Sequence, residues 1–271
     1  MAKLSMMEQM KLFAVKQVLS YVDRDPENNL PRLIDMIQSG DAAEKMGVPG
    51  IDKIKVRLGN RQSGWYRLLL SLWTDVDGRI RNRIFENIMA NSSGLGGDIP
   101  WAEIRISGEG KAEDANVKTG QGKFMLLVRP EGNQLSAEPV FDLAKKYPGC
   151  ILAAFLKGEL VDEDVCGRIL EAENVIPVID LEEKGAEEAM ARLRDRKVLF
   201  GAAGRYSGEE AEMISSEDFA ERMAVAGARA VWLSSREGTD PEVTDAVRER
   251  VKEHTEKWPV IIFEGSGRIV V

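Results

Sequence analysis

Two apolar runs, Trp101-Ala-Glu-Ile-Arg-Ile106 and Lys123-Phe-Met-Leu-Leu-Val-Arg-Pro-Glu-Gly132, decide the fold class of this 271-residue chain. Each is short, rich in large apolar residues and followed by polar or glycine-containing sequence, which is typical of a β-strand. The segment between them, Ser107 to Gly122, is polar, contains four glycines and has no cysteine. We expect these runs to be the first two strands of a βα-repeat domain, with the protein's chemistry close to them.

The pattern of a short apolar run followed by a charged amphipathic segment repeats to the end of the chain. From the second run onward, predicted strands begin at 124, 151, 175, 198, 230 and 260, so they recur every 23 to 32 residues. This regularity predicts parallel βα units, which form a barrel or an open sheet whose working surface lies at the carboxyl ends of the strands. The predicted strands are 102–106, 124–128, 151–156, 175–181, 198–203, 230–234 and 260–263, and the predicted helices are 136–146, 162–172, 185–195, 215–226 and 240–256.

The first 98 residues have a different pattern. Apolar residues recur at spacings of three and four in the stretches Met7–Tyr21, Leu30–Ile37, Trp65–Trp73 and Ile80–Met89, which predicts helices throughout. The turn-forming run Asn91-Ser-Ser-Gly-Leu-Gly-Gly97 marks a boundary. We therefore expect an all-helical N-terminal extension, 1–98, and a βα-repeat domain, 99–271.

The composition of the chain argues against two classes of partner, nucleic acids and membranes. The formal net charge is -8 and the pI is about 5.1, whereas a nucleic-acid partner calls for a basic surface. No apolar run approaches the length of a membrane span, and Lys3, Glu8, Lys11 and Lys16 interrupt the place where a signal peptide would have its apolar core. We expect a cytoplasmic protein with no nucleic-acid and no membrane partner.

Residue types that bind metals are scarce. Cys150 and Cys166 are the only cysteines and His254 is the only histidine. Two isolated thiols cannot complete a zinc or cluster site without other residue types, and both are expected to be small buried side chains. His254 lies in a heavily charged helical run, which is typical of a solvated surface, so we expect neither a catalytic histidine nor a metal.

Charged residues stand at or just after the ends of most predicted strands. In a parallel sheet they converge on one rim, where they could bind an anionic small molecule or perform acid–base chemistry. The alternative is a rim closed by ion pairs among these same side chains, because no pair has the spacing of a known mechanism. The candidate ligand-binding residues are Arg129, Glu131, Lys157, Asp180, Glu182, Arg205, Arg236 and Glu264.

Several stretches resemble radical S-adenosylmethionine enzymes. Tyr147-Pro-Gly-Cys-Ile-Leu-Ala-Ala-Phe-Leu-Lys-Gly-Glu-Leu-Val-Asp-Glu-Asp164 is similar to the third strand of that family and its Thr-Asn-Gly-Thr-Leu-Ile-Asp-Glu run. Asp25–Leu33 and Trp65–Leu69 resemble the helical N-terminal extension of one bacterial and archaeal group. Phe200-Gly-Ala-Ala203 and Gly227-Ala-Arg-Ala-Val-Trp232 continue the likeness. The resemblance implies a partial (β/α) TIM-like barrel of the radical SAM type with an all-helical N-terminal extension.

The residues that give the family its chemistry are replaced. The family holds a four-iron cluster with Cys-x3-Cys-x2-Cys after the first strand, and Ser107 to Gly122 contains no cysteine. Its cofactor-binding Gly-Gly-Glu-Pro turn corresponds to a stretch in which bulky Arg129 and rigid Pro130 hinder close approach of a ligand to the backbone. Its Thr-Asn-Gly becomes Leu-Lys157-Gly, and the serine ending its fourth strand becomes Asp180.

Three functional hypotheses follow. The first is a non-catalytic partner or regulatory subunit without iron–sulfur cluster or S-adenosylmethionine, acting beside an active radical SAM paralogue. The second is a binding protein, or an enzyme of different chemistry, that uses the charged rim for an anionic ligand and needs a pocket of about 300 to 1,000 Å³ there. The third is an assembly role, which an exposed apolar patch on residues 65–90 would favour. The sequence does not determine the oligomeric state, or whether 107–122 keeps the first two strands parallel.

Overall fold

The computed structural model describes residues 6–38, 58–90, 101–107, 112–113, 125–132, 136–253, 260–265 and 268–270. The leading helices are α1 Met6–Asp23, α2 Pro26–Gln38, α3 Gly64–Thr74 and α4 Gly78–Ala90. The strands are β1 Trp101–Ser107, β2 Ala112–Glu113, β3 Met125–Glu131, β4 Ile151–Leu156, β5 Val175–Asp180, β6 Gly201–Tyr206, β7 Ala230–Ser235, β8 Val260–Gly265 and β9 Arg268–Val270. Between them lie α5 Glu138–Lys146, the 3₁₀ turn Gly158–Leu160, α6 Glu163–Ala172, α7 Ala186–Asp195, α8 Ala211–Ile214, α9 Glu217–Ala226 and α10 Pro241–Glu253.

The described strands form one sheet in the order β2-β1-β3-β4-β5-β6-β7-β8-β9. Every neighbouring pair from β1 to β8 is parallel, and β2 and β9 are antiparallel at the two edges. The β1 and β3 strands pair in register from Trp101 opposite Met125 to Ser107 opposite Glu131. The predicted α/β class is therefore confirmed, and the chain between these two strands does return β3 parallel to β1.

Local sequence signals begin and end the helices. The side chain of Asp162 accepts a hydrogen bond from the backbone N–H of Val165 at the start of α6, and Ser216 accepts one from Phe219 at the start of α9. These N-caps satisfy backbone donors that have no partner within the helix. At the end of α9, Gly227 has a φ of 96°, the left-handed conformation that favours glycine.

The two faces of the sheet are covered differently. Alternate strand residues such as Ile104, Leu152 and Val231 share one large core with apolar residues of α5, α6, α7, α9 and α10. The residues between them point to the other face, where strands alone supply a small apolar cluster of Leu127, Ala153, Phe155, Val178 and Trp232. The helices thus lie on one face, as the alternation of side chains along a strand dictates.

The sheet curls around its helix-free face. The rings of Phe155 in β4 and Trp232 in β7 lie 5.3 Å apart between centroids, and the Arg129 guanidinium in β3 lies 6.0 Å from the Trp232 ring. In a flat sheet, strands three positions apart would be separated by about 14 Å. Parallel strands in sequence order, curved with helices on the convex face, match the predicted partial (β/α) barrel.

The helices that precede β1 contact the amino ends of the strands. The backbone N–H of Asp77 donates to the carbonyl oxygen of Lys197, which precedes β6, at 2.8 Å. Arg229, just before β7, pairs with Asp75, and Arg83 pairs with Glu173, just before β5, at 3.0 Å. Leu72, Val76, Ile80 and Ile84 of this region belong to the same core as the helix-covered face of the sheet.

The strand predicted at 198–203 is displaced, since β6 runs from Gly201 to Tyr206. Val198 to Phe200 are buried but precede the paired residues. A Cβ on Gly204 would lie 2.7 Å from Ile214 Cδ1, so α8 packs closely against this strand residue. Glycine inside a strand weakens the sequence signal for that strand. The short elements β2, β9 and α8 were not predicted either.

Candidate functional site

The carboxyl ends of the parallel strands bring the predicted rim residues together. Arg129 and Glu131 end β3, Lys157 follows β4, Asp180 ends β5 and Arg205 lies in β6. Glu182 and Arg236 occupy the loops after β5 and β7. Glu264 lies in β8 opposite Ser234, and its side chain is outside the described residues.

One side of this rim is an ion-pair network. Arg205 lies 2.7 Å from Asp180 and 3.5 Å from Glu182, and Arg236 lies 2.7 Å from Glu182 and 3.9 Å from Glu210. The network links the loops that follow β5, β6 and β7. Its side chains are partly exposed, so each pair contributes at most about 1 kcal/mol to folding.

Glu210 is also bound by its own loop. The backbone N–H of Ser207 donates to its carboxylate at 2.9 Å, and the Ser207 hydroxyl donates to the same oxygen. These hydrogen bonds to the charged form lower the pKa of Glu210. The network therefore ends on a carboxylate that favours the ionised state.

Beside the network lies a pocket of about 370 Å³ on the concave face. This volume is within the range typical of small-molecule sites, about 300 to 1,000 Å³. The rim is thus neither wholly sealed by ion pairs nor wholly open. The pocket is lined by Arg129, Pro130, Gly132, Phe155, Leu156, Lys157, Asp180, Glu183, Ala203, Arg205, Trp232 and Ser234.

The charges in the pocket wall oppose the charge of the whole chain. Arg129, Lys157 and Arg205 contribute three positive charges against the two negative charges of Asp180 and Glu183, which leaves 3 - 2 = +1. The Lys157 ammonium lies 3.5 Å from Glu183, and its side chain is only 18% exposed. A positive pocket on a chain with a net charge of -8 favours an anionic ligand.

Aromatic rings hold Arg129 in place. Its guanidinium carbon lies 3.9 Å from the centroid of the Phe155 ring, and Phe155 meets Trp232 edge to face at an interplanar angle of 77°. A cation over a ring face in this range is attracted by roughly 1 to 2 kcal/mol. The Phe155 ring therefore helps to hold a guanidinium that lines the pocket.

A close backbone contact positions Lys157. The chain leaves β4 through Lys157 and enters the 3₁₀ turn at Gly158, where a Cβ would lie 2.3 Å from the carbonyl carbon of Gly185. Only glycine lets the loop after β4 touch the start of α7 in this way. In the neighbouring loop, the backbone N–H of Glu183 donates to the carbonyl of Asp180, which helps to place Glu183 opposite Lys157.

The sequence prediction and the pocket overlap in part. Arg129, Lys157, Asp180 and Arg205 line the pocket, whereas Glu182 and Arg236 lie in the network and Glu131 lies 4.0 Å from Arg105 at the other side of the rim. The prediction missed the uncharged wall and Glu183. The alternation of side chains along a strand would have predicted part of that wall. Phe155 and Lys157 are two positions apart in an extended segment, so their side chains are expected on the same side.

A second depression, of about 670 Å³, lies between α7 and α9 on the outer surface. Residues of the two helices line it, and no strand end contributes a side chain. Although it is larger, it lacks the convergence of strand ends that builds sites in parallel βα folds. Its lining residues are Glu187, Met190, Ala191, Arg194, Asp218, Glu221, Arg222, Met223, Val225 and Ala226.

The cysteines do not fit an iron–sulfur cluster beside β1. Cys150 stands before the amino end of β4, opposite to the carboxyl-end rim, and Cys166 is buried in α6 on the helix-covered face. Burial raises the pKa of both thiols, which disfavours the thiolate that binds metal. The described parts of the chain contain no group of three His, Cys, Asp or Glu side chains placed to hold a metal ion. His254 lies outside the described residues.

An exposed apolar patch on residues 65–90, which would favour the assembly role, is not seen in the part of this range whose side chains the structure describes. Across 65–87, the described large apolar side chains are buried or partly buried. Exposed ones occur instead at Phe13, Tyr21 and Met36 of α1 and α2. Of the helices whose residues are described, none is both long and apolar enough to cross a membrane.

No protein-family model matches this chain, and no curated protein matches it. Partly similar solved structures include the carboxyl transferase domain from Rhizobium etli pyruvate carboxylase with 3-bromopyruvate, at 16% identity and a TM-score of 0.40. The same domain with pyruvate and biocytin has 14% identity and a TM-score of 0.39. Each match covers 52% of this chain and spans 29% of the other. Similarity of this size carries no argument about what this chain binds or does.

Proposed function

We propose that this protein binds a small anionic molecule in the carboxyl-end pocket. The observation that carries the proposal is the wall charge: Arg129, Lys157 and Arg205 surround a cavity of about 370 Å³ on an acidic chain. Arg205 already lies against two carboxylates, and Arg129 is stacked on Phe155. The Lys157 ammonium lies 3.5 Å from Glu183 in the wall of the same cavity.

Isothermal titration calorimetry at low ionic strength tests this function, with acetate and inorganic phosphate as probes. We expect saturable binding that Lys157→Met weakens at least fivefold, because the variant removes the positive excess of the pocket. Lys184→Met is the matched control, since Lys184 is exposed on the same loop as Glu183 and does not line the pocket. Equal effects of the two variants, or no saturable binding, would contradict the proposal.

A second proposal concerns ancestry and partners. We propose that the chain is a degenerate relative of radical SAM enzymes, with a barrel of that type and without its cluster, and that it serves as a non-catalytic subunit beside an active paralogue. The positions of Cys150 and Cys166, away from the carboxyl end of β1, support the loss of the cluster. Anaerobic reconstitution with iron and sulfide tests it: we expect no visible cluster absorbance, and a stable cluster would contradict it.

A further inference from the structure

We infer that the ligand of the carboxyl-end pocket is an organic acid with a short apolar body, and that Ala203 sets the length of the body. This inference rests on the proposed function, and it commits to a carboxylic acid over an inorganic anion. It follows from the division of the pocket into a charged part and an apolar part.

The pocket wall has an apolar part and a charged part. In the apolar part, Phe155 and Trp232 belong to the small apolar cluster, against which Ala203 and Ile262 pack while remaining partly exposed. Lys157 and the other charged side chains of the rim form the charged part. The pocket touches both parts, since its wall includes Phe155, Ala203 and Trp232 together with Arg129, Lys157 and Arg205.

An inorganic anion would contact only the charged part of this wall. Phosphate matches the cations but leaves the apolar surface in contact with water, so it gains nothing from the apolar part of the wall. A carboxylic acid can place its carboxylate near Arg129 and Lys157 and its hydrocarbon body against Trp232 and Ala203. Each methylene removed from water contributes about 0.8 kcal/mol, which is roughly a fourfold gain in affinity.

Ala203 is the residue that leaves room for the body. In the sheet it lies between Asp180 of β5 and Trp232 of β7 in register, so the charged and the aromatic side chains flank it directly. Its own side chain is a single methyl group that is partly exposed to the concave face. A larger residue at 203 would occupy part of the pocket and leave less room for the hydrocarbon body of a ligand.

The test is calorimetric titration with acetate, butyrate and hexanoate at constant ionic strength. We expect affinity in the wild type to rise by up to about fourfold for each methylene that enters the pocket. Ala203→Leu should abolish the gain in affinity from acetate to hexanoate. Ala203→Val, a β-branched substitution suited to a strand, should retain the gain for butyrate and reduce that for hexanoate. Ala191→Leu on the outer surface is the matched control and should change none of these ratios.

The outcomes separate this inference from the proposed function. Equal affinities for the three acids, all weakened by Lys157→Met, overturn the apolar body and leave the anion pocket in place. A chain-length gain that survives in both position-203 variants overturns the role of Ala203. The absence of binding by all three acids and by phosphate overturns both the inference and the proposed function.

Discussion

The two ends of the curved sheet differ in the side chains that cover them: mostly buried apolar residues at the amino ends and charged residues at the carboxyl ends. At the amino ends, the preceding helices bury Ile80 completely and donate the Asp77 N–H to the chain just before β6. At the carboxyl ends, partly exposed charges surround a pocket, and ion pairs link the loops that follow β5, β6 and β7. This difference assigns stability to the amino ends and the proposed ligand binding to the carboxyl ends, a division that parallel βα folds allow because their strand ends are far apart.

The largest expected effect lies at the closed amino end. Ile80 is 0% exposed in the core shared by α4 and the sheet, and Ile80→Ala removes its contacts and leaves a cavity. We expect the free energy of unfolding to fall by about 2 to 5 kcal/mol in urea titrations. Anion affinity of the folded variant should be unchanged.

Val225→Ala is the control for that prediction, because Val225 is 70% exposed and its truncation should cost less than about 0.5 kcal/mol. A similar small loss for Ile80→Ala would mean that the N-terminal helices do not share the core. A large loss of anion affinity in folded Ile80→Ala would contradict the assignment of stability and anion binding to opposite ends of the sheet.

The next effect concerns a close backbone contact at the carboxyl ends of the strands. Gly158→Ala forces apart the loop after β4 and the start of α7, where a Cβ would lie 2.3 Å from Gly185. We expect a loss of about 1 to 3 kcal/mol by urea unfolding, together with weaker anion binding because Lys157 is adjacent.

Gly167→Ala is the matched control for Gly158→Ala. Gly167 lies inside α6 with nothing within 4 Å of the added Cβ, so alanine should stabilise the protein by up to about 1 kcal/mol. If both variants shift the unfolding midpoint in the same direction, the close contact does not constrain the pocket.

A smaller effect is expected from the ion pairs of the rim. Arg236→Gln removes the contacts with Glu182 and Glu210 on side chains that are 32% to 41% exposed. We expect a loss below about 1 kcal/mol in urea and little change in anion affinity, because Arg236 does not line the pocket. A loss of several kcal/mol would show that the rim is a structural plug.

The smallest effect concerns pH. Ser207 lowers the pKa of Glu210, so the folded state favours ionised Glu210, and this stabilisation is present above its ordinary value of 4.5. It is lost as the pH falls through the lowered pKa, because both states are then protonated. Wild type should therefore exceed Glu210→Gln in stability at pH 7, with a difference that shrinks in acid. A difference that grows in acid would contradict the assignment.

The alternation of strands and helices could be predicted from the sequence because apolar runs alternate with amphipathic segments at regular spacing. The run Ile151–Leu156 was predicted at its observed bounds, since it is apolar throughout and buried on both faces. The strand at Gly201–Tyr206 was misplaced, because glycine and alanine suit close packing there and carry little strand propensity.

The charged half of the site was also predictable, and the apolar half was not. Strand ends in a parallel sheet point to one rim, so Arg129, Lys157, Asp180 and Arg205 could be grouped without coordinates. Trp232 and Phe155 meet only because the sheet curls, and their 5.3 Å separation depends on contacts between distant segments. The tertiary structure likewise determines which charged side chains pair with one another and which line a cavity.

Chemical-shift mapping of a butyrate titration tests the central claim most directly. In two-dimensional ¹H–¹⁵N spectra, we predict that the perturbed amides cluster at the carboxyl ends of the strands, around Arg129, Lys157 and Trp232. Amides near Asp77 and Lys197 at the amino ends should not move. Shifts concentrated at the amino ends or in the depression between α7 and α9, or no saturable shifts, would contradict the account.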